Sequence, residues 1–185
     1  LITPRTKAIM PVHYSGGGGC LEKVYDFSDR YGLRVIEDAA HAFGSLYKKK
    51  RVGGFGDIAC FSFDGIKNIT SGEGGCIVTS DIDVLKKVSD ARLLGVERDA
   101  EKRLLRERSW DFDVSAQGWR YHMSDIMAAI GIEQLKKFPK FAKKRQELAK
   151  LYDYYFLNTD IKFIKHDYTK VVPHIYTVKI PNNIN

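Results

Sequence analysis

A lysine lies where an apolar stretch of the chain gives way to a glycine-rich turn. It is Lys67, within the sequence FSFDGIKNITSGEGG at residues 61–75, and Asp38 comes at the end of an earlier apolar run. A lysine in a desolvated pocket loses its charge more readily and can form Schiff bases with carbonyl groups. A neighbouring aspartate would then pair with the protonated ring nitrogen of a cofactor, which is how pyridoxal phosphate is held. Together the two residues indicate pyridoxal-phosphate chemistry.

Two further polar residues accompany this pair. His41 follows Asp38 on the same loop, and Ser62 precedes Lys67 near the end of an apolar run. Ligand sites in parallel sheets collect at the carboxyl ends of the strands, so all four side chains are candidates for one site. A purely structural alternative is that Asp38 is the N-cap of a helix and that His41 has its hydrogen bonds satisfied nearby.

The residues before Asp38 predict a strand–helix–strand unit. Residues 7–12 predict a short strand, and residues 21–31 have the apolar spacing of a helix that ends at Gly32. Residues 33–36 then predict a second strand that leads into Asp38. A unit of this kind builds a parallel sheet.

Two apolar runs in the middle of the chain predict further strands of the same sheet. The continuous apolar run at 58–63 is typical of a strand buried on both faces, and residues 75–79 predict another strand. We expect Asp81 to cap a helix that runs to about Leu94. Residues 95–117 are charged and are expected to be irregular.

The last third of the chain predicts two helices and a strand. We expect Ser124 to cap the first helix, with Asp125 favourable to its dipole. Pro139 should end that helix, because proline lacks the N–H that an α-helix needs. A second amphipathic helix is predicted at 141–156 and a strand at 174–180.

Charge and composition leave several classes of partner open. The net charge of +7 favours anionic partners, but the basic cluster at 48–51 is flanked as in a solvated hairpin turn, and no nucleic-acid-binding motif accompanies it. The glycine run at 16–19 lacks the dinucleotide and P-loop patterns, so we interpret it as a flexible connection. The three cysteines have no metal-binding spacing, which predicts free thiols in a reducing compartment and no metal site. No membrane span or signal peptide is predicted, so we expect a cytoplasmic protein.

Four ordered motifs resemble those of the DegT/DnrJ/EryC1/StrS family of pyridoxal-phosphate sugar aminotransferases. They are IEDAAHAFG at 36–44, GDIACFSF at 56–63, KNITSGEGG at 67–75 and GWRYHMSDIMAAIG at 118–131. The resemblance extends over nearly the whole chain. It implies the aspartate-aminotransferase-like (type I) fold, a three-layer α/β/α arrangement with a mostly parallel sheet, present here in incomplete form.

The resemblance also implies a role for each candidate residue. Lys67 would form the Schiff base with pyridoxal phosphate and later move a proton between substrate and cofactor. Asp38 would keep the pyridine nitrogen protonated, His41 would lie against the ring oxygen, and Ser62 would donate a hydrogen bond to the phosphate. A neighbouring subunit would contribute the GWRYH loop, from which Arg120 would reach the phosphate. We therefore expect a homodimer with its active site at the subunit interface.

The same resemblance bears on domain organisation. Family members are roughly twice as long, with a large and a small domain, so we expect the chain to be the central fragment of a longer protein. Residues 1–140 would belong to the large cofactor-binding domain. Residues 141–185 would be a connecting helix and the start of the small C-terminal domain. We expect the fragment alone to hold the cofactor poorly and to be inactive.

The predicted reaction transfers an amino group from an amino acid, glutamate, to a nucleotide-linked keto sugar. The product would be an amino sugar for a surface polysaccharide such as lipopolysaccharide, or for a secondary metabolite, with no nucleic-acid or membrane partner. Sugar dehydratases of the same family are a close alternative, but they carry histidine in place of Lys67. The other alternative is a non-catalytic basic α/β module that binds an anionic partner and needs neither Lys67 nor Asp38.

Overall fold

The computed structural model describes residues 1–96, 113–114 and 116–181 of the chain. These residues divide into two compact units, the first made of residues 1–78 and 125 onward and the second of residues 79–124. Most of the segment predicted to be irregular, 95–117, therefore lies outside the described residues.

Eight strands and three helices are described. In chain order, the strands are β1 (Ala8–Ile9), β2 (Arg34–Asp38), β3 (Leu46–Tyr47), β4 (Lys50–Arg51), β5 (Ile58–Ser62), β6 (Gly75–Thr79), β7 (Lys162–Phe163) and β8 (Val178–Lys179). The helices are α1 (Leu21–Tyr31), α2 (Ile82–Ala91) and α3 (Asp125–Phe156). None of the helices in these described ranges is long and apolar enough to cross a membrane.

The main sheet has four strands in the order β1-β2-β5-β6. Strand β2 pairs in parallel with β1 on one side and with β5 on the other. Helix α1 connects β1 to β2 and ends at Gly32, whose φ of 62° is left-handed as a helix-ending glycine requires. The strand–helix–strand unit predicted from the sequence is confirmed.

The basic cluster at 48–51 forms the turn of a small hairpin. Strands β3 and β4 pair antiparallel, with Tyr47 opposite Lys50. Lys48 and Lys49 occupy the turn with positive φ angles of 46° and 69°, which is the conformation that two-residue hairpin turns use. Both lysines are exposed, so the prediction of a solvated turn is confirmed.

The second unit is built around α2. Asp81 caps this helix, because its Oδ1 accepts hydrogen bonds from the backbone N–H groups of Asp83 and Val84 at 2.9 and 3.1 Å. The cap agrees with the prediction, but the helix ends at Ala91, three residues before the predicted Leu94. After Ala91 the chain turns back on itself, and Trp119 N donates to Ala91 O at 2.6 Å.

Helix α3 is continuous, and the prediction that Pro139 ends it is wrong. The residues Phe138 and Ala142 lie on either side of the proline, and both are buried in one apolar cluster. Phe138 packs edge-on against Phe43 with ring centroids 5.1 Å apart. An interior proline costs a helix about 3 kcal/mol, whereas burying a phenylalanine contributes about 2–3 kcal/mol and Ala142 adds to it. Packing of the helix face therefore offsets the lost hydrogen bond.

Phe138 also explains a glycine next to the predicted site. A Cβ built on Gly44 would lie 2.4 Å from Cε1 of Phe138, and Gly44 has a positive φ of 82°. Only glycine fits there without moving the ring. The ring of Phe138 therefore closes over the loop that follows Asp38 and His41. The boundary predicted between residues 140 and 141 falls inside α3, and the division into domains at that point stays a prediction.

The C-terminal segment returns to the loops of the sheet. Strands β7 and β8 form an antiparallel pair, so the strand predicted at 174–180 is shorter than expected. Between them, Lys170 O accepts from Leu46 N at 2.8 Å, and Val172 N donates to Ser45 Oγ at 3.0 Å. Ser15 Oγ donates to Ile175 O at 3.1 Å. These bonds fix residues 170–175 against the loops that follow β1 and β2.

Replacing Pro139 with alanine tests the account of α3. The variant Pro139→Ala restores a helical N–H and removes the ring clash, so we expect the free energy of unfolding to rise by about 1–2 kcal/mol after allowing for the stiffer unfolded chain that proline gives. Urea unfolding followed by circular dichroism measures the change. Lys140→Ala, at the next exposed position of the same helix, is the matched control and should change stability by less than about 0.5 kcal/mol. A loss of stability in Pro139→Ala would contradict this explanation.

Candidate active site

Two of the predicted site residues end neighbouring strands. Asp38 is the last residue of β2 and Ser62 is the last residue of β5. The two strands are parallel and in register, with Asp38 opposite Cys60. Their carboxyl ends therefore lie at the same edge of the sheet, where α/β proteins bind ligands.

Lys67 lies in the turn that follows β5. Its backbone N–H donates to Asp64 O at 3.1 Å, and Asp64 Oδ1 accepts from Ile66 N at 3.0 Å. The next residue, Asn68, is buried and its Nδ2 donates to Phe43 O at 3.1 Å. The turn is thus fixed to the loop after β2, and Lys67 is half-buried rather than fully solvated.

The charges of this site converge on His41. Burial lowers the pKa of His41 most, the positive charge of Lys67 lowers it further, and the carboxylate of Asp38 opposes both. Asp38 and Lys67 thus act on the pKa of His41 in opposite directions. That the three side chains serve one cofactor site stays a prediction.

Several polar groups at this edge have bonding capacity left over. Asp38 Oδ1 accepts from Ala40 N at 3.0 Å, and no protein group of the described ranges binds its second oxygen. Ser62 Oγ accepts from Asp64 N at 3.3 Å, which leaves its hydroxyl hydrogen unused within the same ranges. The buried Nδ1 of His41 has no hydrogen-bond partner in them either.

Pyridoxal phosphate matches these unused groups. A carboxylate suits its pyridinium N–H, a hydroxyl suits its phosphate, and a lysine amine suits its aldehyde. Leaving a buried polar atom unpaired costs about 1–3 kcal/mol. The binding of a ligand that forms hydrogen bonds with such atoms is therefore favoured. The residues present fit this cofactor.

A second histidine belongs to the site, and sequence reasoning missed it. His174 is 9% exposed, and its ring is tilted by 44° against that of His41, with centroids 4.4 Å apart. Burial lowers the pKa of His174 to about 4, with the positive charges of His41, Lys67 and Arg145 acting in the same direction and Asp64 opposing them. The sequence around it, HIYTVKI, has the apolar pattern of a strand, so no local signal marked this histidine.

Arg145 on α3 holds His174 in position. Its Nη1 donates to His174 O at 3.0 Å and to Pro173 O at 3.5 Å. Burial lowers the pKa of this guanidinium, and within the described ranges no carboxylate lies within ion-pair distance of it. The spacing of apolar residues at 141–156 predicted an amphipathic helix and no role for Arg145. Its contact with a loop 28 residues later could not be seen in that spacing.

A buried, hydrogen-bonded pair of His13 and Glu37 lies next to Asp38. His13 Nε2 and Glu37 Oε2 are 2.6 Å apart, and both side chains are fully buried. Tyr25 OH donates to the other carboxylate oxygen of Glu37 at 2.6 Å. Burial and the Glu37 carboxylate raise the pKa of Tyr25. His13 N also donates to Asp38 O at 3.0 Å, so this pair fixes the backbone on which Asp38 stands.

Arg120 lies in the second unit. It forms an isolated antiparallel bridge with Leu93, and Tyr121 N donates to Arg92 O at 3.0 Å. The role implied for it, contact with a phosphate across a subunit interface, stays a prediction. Among the residues the structure describes, no group of three or more histidine, cysteine or acidic side chains is arranged to hold a metal ion.

Replacing His174 with glutamine should reduce the loss of folding stability at acidic pH. An unfolded histidine binds its proton near pH 6.5, whereas His174 in the folded chain stays neutral down to about pH 4. Between these values the unfolded state binds more protons, so the free energy of unfolding falls as the pH falls through this window. His174→Gln should remove up to about 3 kcal/mol of that fall, measured by urea unfolding at pH 4, 5, 6 and 7.

The control for this prediction is His122→Gln, because His122 is exposed in the second unit. In this variant the free energy of unfolding should depend on pH as it does in the unchanged chain. If His174→Gln lost stability equally at all four pH values, the neutral state of His174 would be contradicted.

Comparison with known proteins identifies relatives of the whole chain. The model of the DegT/DnrJ/EryC1/StrS aminotransferase family matches residues 1–185. The uncharacterized protein MJ1066 of Methanocaldococcus jannaschii is 44% identical over 97% of this chain and 47% of its own length. SpsC, a spore coat polysaccharide biosynthesis protein of Bacillus subtilis, is 35% identical over 97% of this chain and 46% of its own.

A solved structure agrees with these sequence relatives. PseC of Helicobacter pylori, an aminotransferase involved in the biosynthesis of pseudoaminic acid, has a TM-score of 0.86 at 33% identity. The match covers 98% of this chain and 47% of that chain. It confirms the predicted fold class. The chain spans about half the length of the curated relatives it matches.

Proposed function

Because this chain belongs to the DegT/DnrJ/EryC1/StrS aminotransferase family, we propose that it forms the cofactor-binding core of a sugar aminotransferase. The enzyme would transfer an amino group from an amino acid, glutamate, to a nucleotide-linked keto sugar. The observation that supports this most is the parallel, in-register pairing of β2 with β5, which puts Asp38 and Ser62 at one edge of the sheet, with Lys67 in the turn that follows β5. Enzymes of this family depend on pyridoxal phosphate.

Each residue of the site has one task in this proposal. The free carboxylate oxygen of Asp38 would hold the pyridine N–H, and Ser62 would donate its hydroxyl hydrogen to the phosphate. His41, whose ring lies against that of His174 with centroids 4.4 Å apart, would support the cofactor ring. When bound, pyridoxal phosphate supplies an electron sink for the negative charge that develops on the substrate carbon.

Lys67 would carry the proton. Its Nζ is the amine that would attach the cofactor, and after its release by the substrate it becomes a free base beside the reacting carbon. Nζ would remove a proton from the donor amino acid and would then deliver it to the cofactor. The keto sugar would then occupy the same site, and Lys67 would move the proton in the opposite direction. The two substrates would therefore react one after the other at the same lysine.

The finer points of the proposal rest on different supports. A cytoplasmic location agrees with three free cysteines in a chain of this size. A homodimer with Arg120 reaching across the interface rests on the family resemblance alone. A role in surface polysaccharide or lipopolysaccharide synthesis draws on the relative SpsC, whose name assigns it to spore coat polysaccharide.

The two alternatives are weaker on these residues. A sugar dehydratase of the same family would need histidine where this chain has Lys67. A basic module that binds an anion without catalysis has no use for a half-buried lysine in the turn that follows β5. Neither alternative explains why Asp38, His41 and Lys67 are held together.

Trapping the lysine–cofactor bond tests the proposal. Incubation with pyridoxal phosphate and reduction with borohydride should leave one stable adduct on the peptide that contains Lys67, found by mass spectrometry. Lys67→Arg keeps the positive charge but cannot form the bond, so this adduct should disappear. Lys50→Arg, on the exposed edge of the β3–β4 hairpin, is the control and should keep the adduct at Lys67. An adduct spread over surface lysines and unchanged in Lys67→Arg would refute the aminotransferase proposal.

A further inference from the structure

A buried hydrogen-bonded network lies next to the candidate site and has no part in the proposed reaction. It includes Glu37 of the motif IEDAAHAFG and the first two residues, Gly56 and Asp57, of the motif GDIACFSF. The tasks proposed above for these two motifs belong to other members of each. Glu37, Gly56 and Asp57 therefore require an explanation of their own.

The centre of the network is the carboxylate of Glu37. Its two oxygens have separate partners, because Oε2 lies 2.6 Å from His13 Nε2 and Oε1 accepts from Tyr25 OH at 2.6 Å. Burial and the hydrogen bond with Glu37 raise the pKa of Tyr25, so the phenol keeps its proton and remains the donor. A carboxylate bonded on both sides in this way cannot rotate without breaking a buried hydrogen bond.

Gly56 allows the backbone to pass close to this carboxylate. A Cβ on Gly56 would overlap the hydroxyl of Tyr25 and would lie 2.7 Å from Oε1 of Glu37, and the residue has a positive φ of 83°. Only glycine fits beside the bonded pair. The next residue, Asp57, donates its backbone N–H to the same Tyr25 hydroxyl at 3.1 Å. The chain just before β5 is thus built around the hydrogen bond between Tyr25 and Glu37.

Asp57 also joins the network to the first residues of β2. Its Oδ2 accepts from Arg34 Nε at 2.6 Å and from Val35 N at 3.1 Å. The network is therefore attached to β2 near its start through Asp57 and near its end through Glu37.

His13 connects this network to Asp38. Its imidazole holds Glu37, and its backbone N–H donates to Asp38 O at 3.0 Å. These bonds join one residue to two successive residues of β2, whose side chains point to opposite faces of the sheet. They therefore restrict the rotation of the strand about its own axis at Asp38, and with it the direction of the Asp38 side chain.

The Asp38 carboxylate is also bonded to the loop that follows it. Its Oδ1 accepts from Ala40 N at 3.0 Å, which fixes the carboxylate relative to that loop. A side chain that binds a cofactor must be held to within about 0.5 Å and 10–20° of its productive geometry. A network that holds the end of β2 from the opposite face of the sheet supplies the further restraint.

We propose that Glu37, His13 and Tyr25 are positioning residues that direct the Asp38 carboxylate toward the ring nitrogen of the cofactor. They act only through Asp38. The inference rests on the proposed function for the task of Asp38, whereas the bonds of the network to β2 do not depend on it.

The first experiment needs no cofactor. The amide hydrogen of Ala40 reports the position of the Asp38 carboxylate, because the two are hydrogen-bonded. Glu37→Gln keeps the volume of the side chain but cannot accept from both partners, and Tyr25→Phe removes one of the two. In each variant the Ala40 amide proton should move upfield and should exchange with solvent about fivefold faster, as expected for the loss of one hydrogen bond. NMR spectroscopy measures both changes.

The second experiment uses pyridoxal phosphate labelled with ¹⁵N in its ring. The ¹⁵N resonance distinguishes a protonated ring nitrogen from an unprotonated one, and Asp38→Asn gives the reference for loss of the carboxylate. Glu37→Gln and Tyr25→Phe should move the resonance from its value in the unchanged chain toward that reference. They should also weaken the binding of pyridoxal phosphate about fivefold.

Two controls separate positioning from general stability. Val35→Ala leaves a cavity on the same face of β2 as Glu37. It should lower the free energy of unfolding without changing either resonance. Tyr31→Phe makes the same substitution as Tyr25→Phe at an exposed position of α1 and should change neither stability nor the resonances.

Two results would overturn the inference. In the first, Val35→Ala shifts both resonances as much as Glu37→Gln does, which would mean that the network only stabilises the fold. In the second, Tyr25→Phe folds and shifts neither resonance. Tyr25→Phe keeps the buried pair of His13 and Glu37 in place, so it decides the question if Glu37→Gln does not fold.

This inference and the proposed function fail separately. A specific adduct at Lys67, together with no effect of Glu37→Gln and Tyr25→Phe on either resonance, would refute only the positioning role. A changed Ala40 amide in both variants without a specific adduct at Lys67 would support the hold of the network on Asp38 and would refute the reaction.

Discussion

The parallel pairing of β2 with β5 is the constraint on which the rest of the structure depends. Successive side chains on a strand point to opposite faces of the sheet, so Glu37 and Asp38 necessarily face opposite ways. Glu37 is fully buried and Asp38 is only half-buried. A shift of register by one residue would exchange them and would turn Glu37 instead of Asp38 toward the candidate site. The pairing of Asp38 with Cys60 therefore determines which carboxylate reaches the site.

The buried pair of His13 and Glu37 makes that register costly to change. A carboxylate taken fully out of water is stable only when its oxygens are paired, and here His13 and Tyr25 engage one oxygen each. In any other register Glu37 would lose both partners. The same histidine bonds the backbone of Asp38. The buried pair thus holds β2 in register, and through the bond from His13 N to Asp38 O it also fixes the backbone of a candidate site residue.

The parts of the site that the sequence predicts are those carried by strand ends. Asp38, Ser62 and Lys67 follow apolar runs whose parallel pairing could be inferred, so their proximity followed from topology. His174 and Arg145 come from elements whose local pattern says only strand and helix, and their contacts depend on how the chain returns after α3. The same limit explains the error at Pro139. Local helix propensity favours a break there, and only the tertiary contacts of Phe138 and Ala142 overrule it.

The C-terminal segment returns to the loops of the sheet after α3 and adds a second set of residues beside the site. Arg145 donates to the carbonyl of His174, and the ring of His174 lies against that of His41 with centroids 4.4 Å apart. A few residues earlier, the same segment lines a cavity together with the glycine run. One segment therefore carries His174 and also bounds this cavity. Residues 170–175 are hydrogen-bonded to the loops after both β1 and β2. These bonds hold the segment, and with it His174, against the two loops from which Ser15 and His41 come.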